Sequence, residues 1–352
     1  MKKLHCLVGL FAATLVLASC GGKNEKKSYD EIGESGLTTR TENLAANIRT
    51  GAGNGVIIGQ LYGTLQGVGW ECDSARSDFF SICGEGPAAT GYELRGIESG
   101  SKINSDSLSF DDIRADVLEM FWRGGLVTMT WSIPDKAKDP ESLKKYTAAI
   151  AKYFDSLQND YGIKAPVVLF PMPLDGKSWY ASLPSEEYLN LFHQITTQLH
   201  DLDVTNVIFG YSTNGDLDRC PVDDIDVIEL RDILANADSA QFEDRVLKTL
   251  PQVVSYAQEH MKAVGLTTGV EGCPSSEFFT QTMSAIVRNN RLAYVMFGRN
   301  YGDPKDGTFC VPYPGYGNEY ISDFVMFHNE KSAIFIRHLN GLYLKKGEQN
   351  KK

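Results

Sequence analysis

Short runs of β-branched and aromatic residues alternate with amphipathic stretches along most of this 352-residue chain, and that alternation limits the possible folds most strongly. Runs of this kind are typical of strands that are buried on both faces of a sheet. Strands that alternate with helices predict an α/β protein with a parallel sheet. The strand candidates are residues 56–58, 126–130, 167–170, 204–209, 225–230, 265–267 and 293–297.

About seven strands with intervening helices fit either a (β/α)8 barrel or a doubly wound sheet. Doubly wound sheets that bind nucleotides carry a glycine-rich phosphate loop directly after a strand. Neither a GxGxxG nor a GxxxxGK[ST] sequence follows any of the candidates. We therefore predict an α/β fold in a single domain, a (β/α)8 TIM barrel.

Helix boundaries can be predicted at several points between the strands. Ser109 begins a Ser-Phe-Asp-Asp sequence that resembles a capping box, and Gly124-Gly125 is expected to end the helix that follows. Pro251 is expected to break a later helix. The apolar stripes, which we expect to pack against the sheet, are Phe110, Ile113, Val117 and Met120; Tyr188, Phe192, Ile195 and Leu199; and Phe242, Val246, Val253, Val254 and Ala257.

The N-terminus has the features of a bacterial signal peptide. Met1-Lys2-Lys3 is basic, 7–18 is an apolar stretch that is short for a transmembrane span, and 17–21 (LASCG) resembles a lipobox. In a lipobox the small residues admit the signal peptidase, and the thiol of Cys20 receives the lipid. An ordinary secretory signal with a coincidental cysteine is the alternative. The predicted organisation is a signal peptide at 1–19, a lipidated N-terminus and flexible tether at 20–48, the barrel at 49–345 and a polar tail at 346–352.

These features predict a protein of the bacterial cell envelope, held at a membrane, expected to be the outer membrane, through a lipid anchor only. The 34 Lys and Arg residues are outnumbered by 45 Asp and Glu residues, which gives a net charge of −11. Binding to nucleic acid requires clustered positive charge, so we expect no nucleic-acid partner.

Seven cysteines are present, and five remain once Cys6 and Cys20 are set aside. Cys72 and Cys83 are closest in sequence and form the candidate disulfide, in a compartment that permits one. The sequence contains no CxxC and no HExxH motif. We therefore expect no metal site and no cofactor.

Five motifs lie where strands of the predicted barrel would end, and the C-terminal ends of strands carry the chemistry of such barrels. In chain order they are 91–98 (GYELRGIE), 123–131 (RGGLVTMTW), 211–215 (YSTNG), 294–300 (YVMFGRN) and 311–315 (VPYPG). Together they resemble glycoside hydrolase family 26, the β-mannanase family, over about 54–335. That family carries a Tyr-x-x-Glu-Leu segment, an Arg-Gly-Gly run leading to Ser-Trp-His, then Tyr-Ser-Pro-Asn, Trp-Arg-Asn and Ala-Pro-Tyr-Pro-Gly.

The resemblance implies a barrel that hydrolyses β-1,4-mannans with retention, using an acid/base Glu after strand 4 and a nucleophilic Glu on strand 7. Retaining glycosidases hold these two carboxyl groups about 5–5.5 Å apart. This sequence departs from the family at both positions. When Pro171 and Trp179 are aligned with the strand-4 motif, Leu174 takes the acid/base position, and Thr267 takes the nucleophile position. Further departures are Phe170 for Arg, Pro173 for His, Ser132 for His, Gly298 for Trp, and 59–62 (GQLY) for His-Gln-Asp-Asp.

Asp175 and Glu271 are the carboxyl groups nearest to the two changed positions, and they are the fallback catalytic candidates. Asp175 is one residue and Glu271 four residues out of register. A displacement near 1 Å can already cost about 10²-fold in rate.

A sugar-binding groove is implied at matching positions even without the catalytic pair. Trp179 matches the sugar-stacking tryptophan, and Arg299 with Asn300 matches the polar pair of Trp-Arg-Asn. Tyr211 and Gln60 are further candidates for lining the groove. Packing of Trp179 into its own loop and pairing of Arg299 with an acid such as Asp303 are the structural alternatives. The other tryptophans, Trp70, Trp122 and Trp131, are expected in the core.

Three hypotheses for the function follow. The first is a surface lipoprotein that binds β-mannan or a related β-glycan, with hydrolysis lost or impaired. The second is an active retaining β-glycanase that uses relocated carboxylates, Asp175 and Glu271. The third is a barrel that serves as a protein-interaction module of the envelope.

Overall fold

The computed structural model describes residues 30–50, 55–73, 76–174, 176–235 and 238–348. Within them, eight parallel strands pair in chain order, and the eighth pairs with the first to close a barrel. We number the barrel strands β1 to β8. They span Val56–Leu61, Ala89–Glu93, Leu126–Trp131, Val167–Pro171, Val207–Thr213, Val227–Leu234, Ala263–Val270 and Tyr294–Phe297. The predicted (β/α)8 barrel is confirmed.

Helices surround the barrel and follow most of its strands. The α-helices of the described residues, α1 to α9, are Thr39–Thr50, Asp78–Cys83, Phe110–Trp122, Pro140–Ser156, Ser185–Asp201, Ser239–Phe242, Leu250–Glu259, Ser284–Asn289 and Asn318–His328. Two π-helical turns, Glu243–Leu247 and Phe278–Met283, precede α7 and α8. A short hairpin joins Gln66–Gly67 to Trp70–Glu71, and Ala333–Ile334 pairs with the start of β1. None of the described helices is both long and apolar enough to cross a bilayer.

The helix boundaries follow the sequence signals. The Ser109 hydroxyl oxygen accepts hydrogen bonds from the backbone N–H groups of Asp111 and Asp112 and caps α3. That helix ends at Trp122, and Gly124 has a φ of 81°, which favours glycine. Pro251 lies in the first turn of α7, where its missing N–H has no intrahelical partner to lose. Both predicted breaks are therefore confirmed.

Strand β2 was absent from the strand candidates because its sequence, Ala-Thr-Gly-Tyr-Glu, lacks a branched apolar run. The crowding inside the barrel explains that sequence. A Cβ at Gly91 would lie 2.7 Å from both Leu61 Cδ2 and Thr128 Oγ1. The interior therefore requires glycine where strand propensity would favour valine or isoleucine.

Large rings from one strand fill the space left by glycines on the next. A Cβ at Gly210 on β5 would lie 2.2 Å from the ring of Phe170 on β4. A Cβ at Gly265 on β7 would lie 2.2 Å from the ring of Tyr294 on β8. Ring and glycine thus fit together as one packing unit, and the close contact fixes how these neighbouring strands pack.

The folded body begins earlier than the predicted tether boundary at residue 48. Helix α1 buries Leu44 and Ile48, and the backbone N–H of Thr38 donates to Thr205 O at 2.8 Å. Asn47 Nδ2 lies within hydrogen-bonding distance of the carbonyl oxygens of residues 341, 342 and 344, at 3.2, 2.8 and 2.9 Å. Helix α1 is therefore part of the barrel domain. The predicted signal peptide and Cys20 lie outside the described residues.

Two further expectations are wrong in this structure. Cys72 and Cys83 are not joined by a disulfide, because Cys72 Sγ lies 3.6 Å from Asp112 Oδ2 rather than beside Cys83 at the end of α2. Trp122 is exposed, unlike Trp70 and Trp131, because it is the last residue of α3 and lies outside the buried stripe of that helix.

Candidate functional site

A pocket of about 240 Å³ opens at the C-terminal ends of the barrel strands. Its lining residues come from β1, β2, β3 and β6 and from the segments that follow β1, β2, β7 and β8. Strands β4 and β5 contribute none of them. The pocket is therefore displaced toward one half of the barrel mouth, which we call the open half.

Tyr62, Asp106 and Arg299 form one wall of the pocket. Tyr62 donates its phenolic proton to Asp106 Oδ2 at 2.6 Å, and Arg299 Nη1 lies 3.1 Å from Asp106 Oδ1. The Arg299 guanidinium stacks over the ring of Tyr301 at 4.2 Å. Burial raises the pKa of Tyr62 well above its ordinary value, and the charge of Asp106 adds to that shift. The phenol thus stays protonated and holds Asp106, which in turn orients Arg299.

Glu93, at the end of β2, forms the second wall. Its Oε1 accepts hydrogen bonds from the backbone N–H groups of Arg95 and Ser132, at 2.9 and 3.0 Å. Its Oε2 accepts hydrogen bonds from the hydroxyls of Thr130 and Ser132, at 2.9 and 3.0 Å. Burial raises the pKa of Glu93, and these donors oppose the shift because they stabilise the carboxylate. Glu93 thereby ties the end of β2 to the end of β3.

A buried carboxylate lies at the base of the pocket. Glu229 on β6 is 1% exposed and accepts hydrogen bonds from three hydroxyl groups. The donors are Ser212 at 2.9 Å, Thr267 at 2.6 Å and Tyr294 at 2.7 Å. Arg231, which lines the pocket, lies 3.5 Å from Glu229 Oε1. Arg231 thus forms the pocket floor. It is supported from inside the barrel by Glu229, whose carboxylate accepts hydrogen bonds from residues of β5, β7 and β8.

The mouth is closed where β4 ends, a region that we call the closed half together with β5. Phe170, Met172 and Leu174 are buried there in the hydrophobic core. The backbone of Leu174 donates to Ser212 O at 2.9 Å, and Tyr188 donates to Met172 O at 2.9 Å. The three apolar side chains fill the end of β4, and the two hydrogen bonds hold the backbone there in place.

The segment after β8 packs tightly over the end of β7. A Cβ at Gly298 would lie 2.5 Å from Cys310 Sγ, and a Cβ at Gly269 would lie 3.0 Å from Cys310 Cβ. Gly269 also has a φ of 145°, which favours glycine. Gly298, which stands where the family resemblance expects a tryptophan, therefore leaves room for the Cys310 thiol.

The structure brings two of the predicted site residues into this pocket, Arg299 and Glu271. Three others are fully buried and bonded elsewhere. Gln60 Nε2 donates to Gly298 O at 3.3 Å, and Tyr211 donates to Asp216 O at 2.7 Å. Asn300 donates to Asp78 Oδ2 at 2.7 Å and accepts a hydrogen bond from the backbone N–H of Cys310.

Trp179 lies in a separate depression between α4 and α5. Its indole N–H donates to Ile133 O at 3.0 Å, and the Lys138 ammonium lies 4.9 Å from the ring centroid. Asp175, the other fallback catalytic candidate, lies outside the described residues. Trp179, which follows β4, therefore does not share a pocket with Arg299 and Glu271, which follow β8 and β7.

Several pocket residues were not singled out from the sequence. Glu93 lies within the motif 91–98 and Tyr62 at the end of 59–62, so their position near a strand end was a usable signal. Arg231 lacks any motif, because its place depends on strand register and on Glu229. No group of three or more His, Cys, Asp or Glu residues that could hold a metal ion occurs in the described parts of the chain.

Comparison with solved structures shows close similarity over the whole barrel. A β-mannanase of glycoside hydrolase family 26 from Bacteroides ovatus superposes with a TM-score of 0.80 at 26% identity, covering 88% of this chain and 98% of that one. The barrel has the fold of the family 26 β-mannanases. A modular endo-β-1,4-mannanase from Cellulomonas fimi gives a TM-score of 0.76 at 20% identity, covering 89% and 79% of the two chains. The catalytic domain of a family 26 endo-β-1,4-mannanase from a Bacillus species gives 0.74 at 19% identity, covering 92% and 98%.

The resemblance to family 26 that the motifs predicted is therefore confirmed in three dimensions. At the level of sequence, no protein-family model and no curated protein matches this chain. The chain spans nearly the full length of the Bacteroides ovatus β-mannanase, so the likeness concerns the complete barrel domain rather than a part of it.

Proposed function

We propose that this protein is a surface lipoprotein whose family-26-like barrel binds β-mannan or a related β-glycan at its mouth, with hydrolysis lost or impaired. One observation carries the proposal. A polar pocket remains at the open half of the mouth, while Leu174 is buried and Thr267 donates its hydroxyl to Glu229.

The open half supplies the chemistry that a polyhydroxylated ligand requires. Arg231 and Arg299 offer guanidinium donors, while Asp106 and Glu271 offer carboxylate acceptors. Tyr301 lines the same pocket and adds aromatic surface, with one face of its ring covered by the Arg299 guanidinium. The volume of 240 Å³ is below the range of about 300–1,000 Å³ usual for drug-sized ligands, so we expect the pocket to hold about one sugar unit.

Retaining hydrolysis needs one carboxyl group to attack and a second to transfer the proton. A leucine at 174 can do neither. The hydroxyl of Thr267 already serves the Glu229 carboxylate, which is 1% exposed and lies below the pocket floor. The positions that the family resemblance assigns to catalysis therefore offer no carboxylate to a bound glycan.

Calorimetry of the purified protein against galactomannan, glucomannan and mixed-linkage β-glucan oligosaccharides tests the binding. We expect binding to at least one of them, and Arg299→Ala should weaken it by roughly tenfold because a charged donor is lost. Arg288→Ala, which removes an exposed arginine of α8 far from the mouth, is the matched control and should bind as the parent does. Thermal melting of both variants shows whether the barrel is intact. Absence of binding to every glycan would refute the proposal.

Active hydrolysis by relocated carboxylates is the second candidate. It is favoured with Glu93 in place of the predicted Asp175, because Glu93 and Glu271 line the same pocket. Each oxygen of Glu93 already accepts two hydrogen bonds, which leaves that carboxyl poorly placed to release a proton to a leaving group. Release of reducing sugar from the same glycans, abolished by Glu271→Gln, would establish this alternative. Zero release across the set would remove it.

The lipid anchor is tested separately by fractionation of cells that express the full-length chain. We expect the parent protein in the membrane fraction with acyl chains on Cys20, detectable by mass spectrometry. Cys20→Ser should lose the acyl mass and leave the membrane fraction. Retention of the variant without acylation would show that Cys20 is not the anchor.

A further inference from the structure

Exposed apolar side chains gather at the pole of the barrel opposite the mouth. Turns that lead from a helix into a parallel strand lie at the N-terminal pole of such a barrel. Four of the eight barrel strands, β3, β4, β5 and β7, are each preceded by a turn or helix end with one exposed apolar residue. These residues, with their exposed fractions, are Trp122 (82%), Tyr161 (68%), Leu202 (44%) and Met261 (75%). We call these four residues the basal apolar ring, because they lie at the N-terminal pole of the barrel.

The arrangement is not what scattered surface residues would give. The described residues expose nine large apolar side chains, and Ile103 is the one that lies in a loop at the mouth. Single exposed apolar residues need no explanation, whereas several on one face mark an interaction surface. Trp and Tyr are the residues that favour the boundary between water and lipid.

The described chain starts at this same pole. Asp30 Oδ2 accepts a hydrogen bond at 2.8 Å from the backbone N–H of Lys164, in the turn before β4 that also carries Tyr161. The backbone N–H of Thr38 donates to Thr205 O, in the turn before β5 that also carries Leu202. Ile32, between these two attachments, is 57% exposed. The N-terminal segment therefore leaves the barrel beside the basal apolar ring.

Chain length limits how far this pole can lie from a lipid on Cys20. Residues 21–29 separate that cysteine from Asp30. Even a fully extended chain of this length spans at most about 35 Å, and a flexible one averages about 17 Å. A membrane that holds the lipid is thus always within reach of the ring.

Charged residues of both signs lie at this pole. Arg123 follows Trp122, Lys262 follows Met261, and Arg291 lies in the turn before β8. Asp160, Asp201, Asp203, Asp224 and Asp226 lie in the same set of helix ends and turns and oppose this charge. A depression lined by Arg49, Lys262 and Arg291 lies beside Met261. The basic residues beside Trp122 and Met261 can contact lipid headgroups, whereas the acidic neighbours of Tyr161 and Leu202 oppose binding to anionic lipid.

We propose that the basal apolar ring docks on the surface of the bilayer that carries the lipid anchor, so that the barrel stands with its mouth directed away from the membrane. The inference rests on the proposed lipid anchor at Cys20. It deepens the proposed function, because a pocket directed outward meets glycans that a pocket facing the bilayer cannot reach.

The test uses the acylated full-length product reconstituted on vesicles of phosphatidylethanolamine and phosphatidylglycerol whose acyl chains carry bromine, a quencher of tryptophan fluorescence. We expect the vesicles to quench part of the emission, and Trp122→Phe should remove the quenched component. Trp179→Phe, which removes a tryptophan near the mouth, is the matched control and should leave that component unchanged. Combined Tyr161→Ser, Leu202→Ser and Met261→Ser replacements should also cause loss of quenching while the protein stays anchored.

The other outcomes separate this inference from the anchor itself. Mass spectrometry and flotation report acylation and membrane attachment without reference to orientation. Anchored protein whose Trp122 emission is not quenched would overturn the docking and leave the anchor intact. A dimer in sedimentation that Trp122→Ser dissociates would assign the ring to a second copy of the chain and would also overturn it. Absence of acylation on Cys20 would refute the anchor, and the inference would fall with it.

Discussion

The two halves of the barrel mouth differ in how they end their strands. In the closed half, Phe170, Met172 and Leu174 cover the end of β4 with buried apolar side chains. In the open half, Glu93, Asp106 and Arg299 remain partly exposed, and each has charged or hydrogen-bonding partners. A carboxylate is stable at a strand end only where water or donors compensate its charge. Polar groups at this mouth are therefore confined to the half whose strand ends are not filled by buried apolar side chains.

The largest expected effect comes from forcing a charge into the closed half. Leu174→Glu should destabilise the barrel by about 3–5 kcal/mol, because the carboxylate would be buried without a partner. Urea unfolding measures the change. Leu174→Met, which conserves volume, is the control and should cost less than about 1.5 kcal/mol. A Leu174→Glu variant as stable as the parent would show that the closed half is open to water.

The pH dependence of stability should reveal the buried acid behind the open half. Burial raises the pKa of Asp116 to about 6, although Tyr92 and Thr64 donate hydrogen bonds to it. Because the folded protein holds this proton more tightly than the unfolded chain, its contribution to stability is full below about pH 4 and is lost as pH rises to about 6. The shift corresponds to about 3 kcal/mol.

Asp116→Asn isolates that contribution, because the amide keeps an acceptor and does not titrate. The difference in unfolding free energy between parent and variant should change between pH 4 and pH 6 and stay constant above pH 7. A constant difference over the whole range would mean that Asp116 ionises normally in the folded protein.

Tyr62→Phe tests how firmly the wall of the open half is held. The variant loses the hydroxyl that donates to Asp106 and accepts from the backbone N–H of Glu93 and from Asn104. We expect a loss of about 2 kcal/mol in stability, since buried partners are left unsatisfied. Glycan affinity should fall as well, because Asp106 no longer holds Arg299 in one place. If calorimetry gives unchanged affinity, the wall does not position the arginine.

The smallest expected effect concerns the network beneath the floor. Thr267→Val removes one of the three hydroxyls that donate to Glu229 and should cost about 1 kcal/mol. Thr267→Ser keeps the donor and serves as its control. Denaturation of the two variants side by side would contradict the expectation if they were equally stable.

The sequence was informative where side-chain pattern and backbone structure coincide. The branched runs of β3, β4 and β6 predicted buried strands, and the motif after β8 placed Arg299 at the mouth. Other features depend on space rather than pattern. Strand β2 was not predicted, because crowding by Leu61 requires glycine rather than a branched residue at position 91. Glu229 meets its hydrogen-bond donors only because the strand register places it opposite Gly265. Trp179 occupied a plausible position along the chain, but the direction of its ring depends on contacts with Ile133 and Lys138.

The amide of Asn47 meets its partners almost three hundred residues further along the chain, at the carbonyls of 341, 342 and 344. During synthesis this helix has emerged long before the strand ends and loops that secure it exist. The first and last turns of the domain can therefore join only after residue 344 has been synthesised and has emerged. Until then α1 lacks the carbonyl partners that hold the first helix of the domain to its last turns.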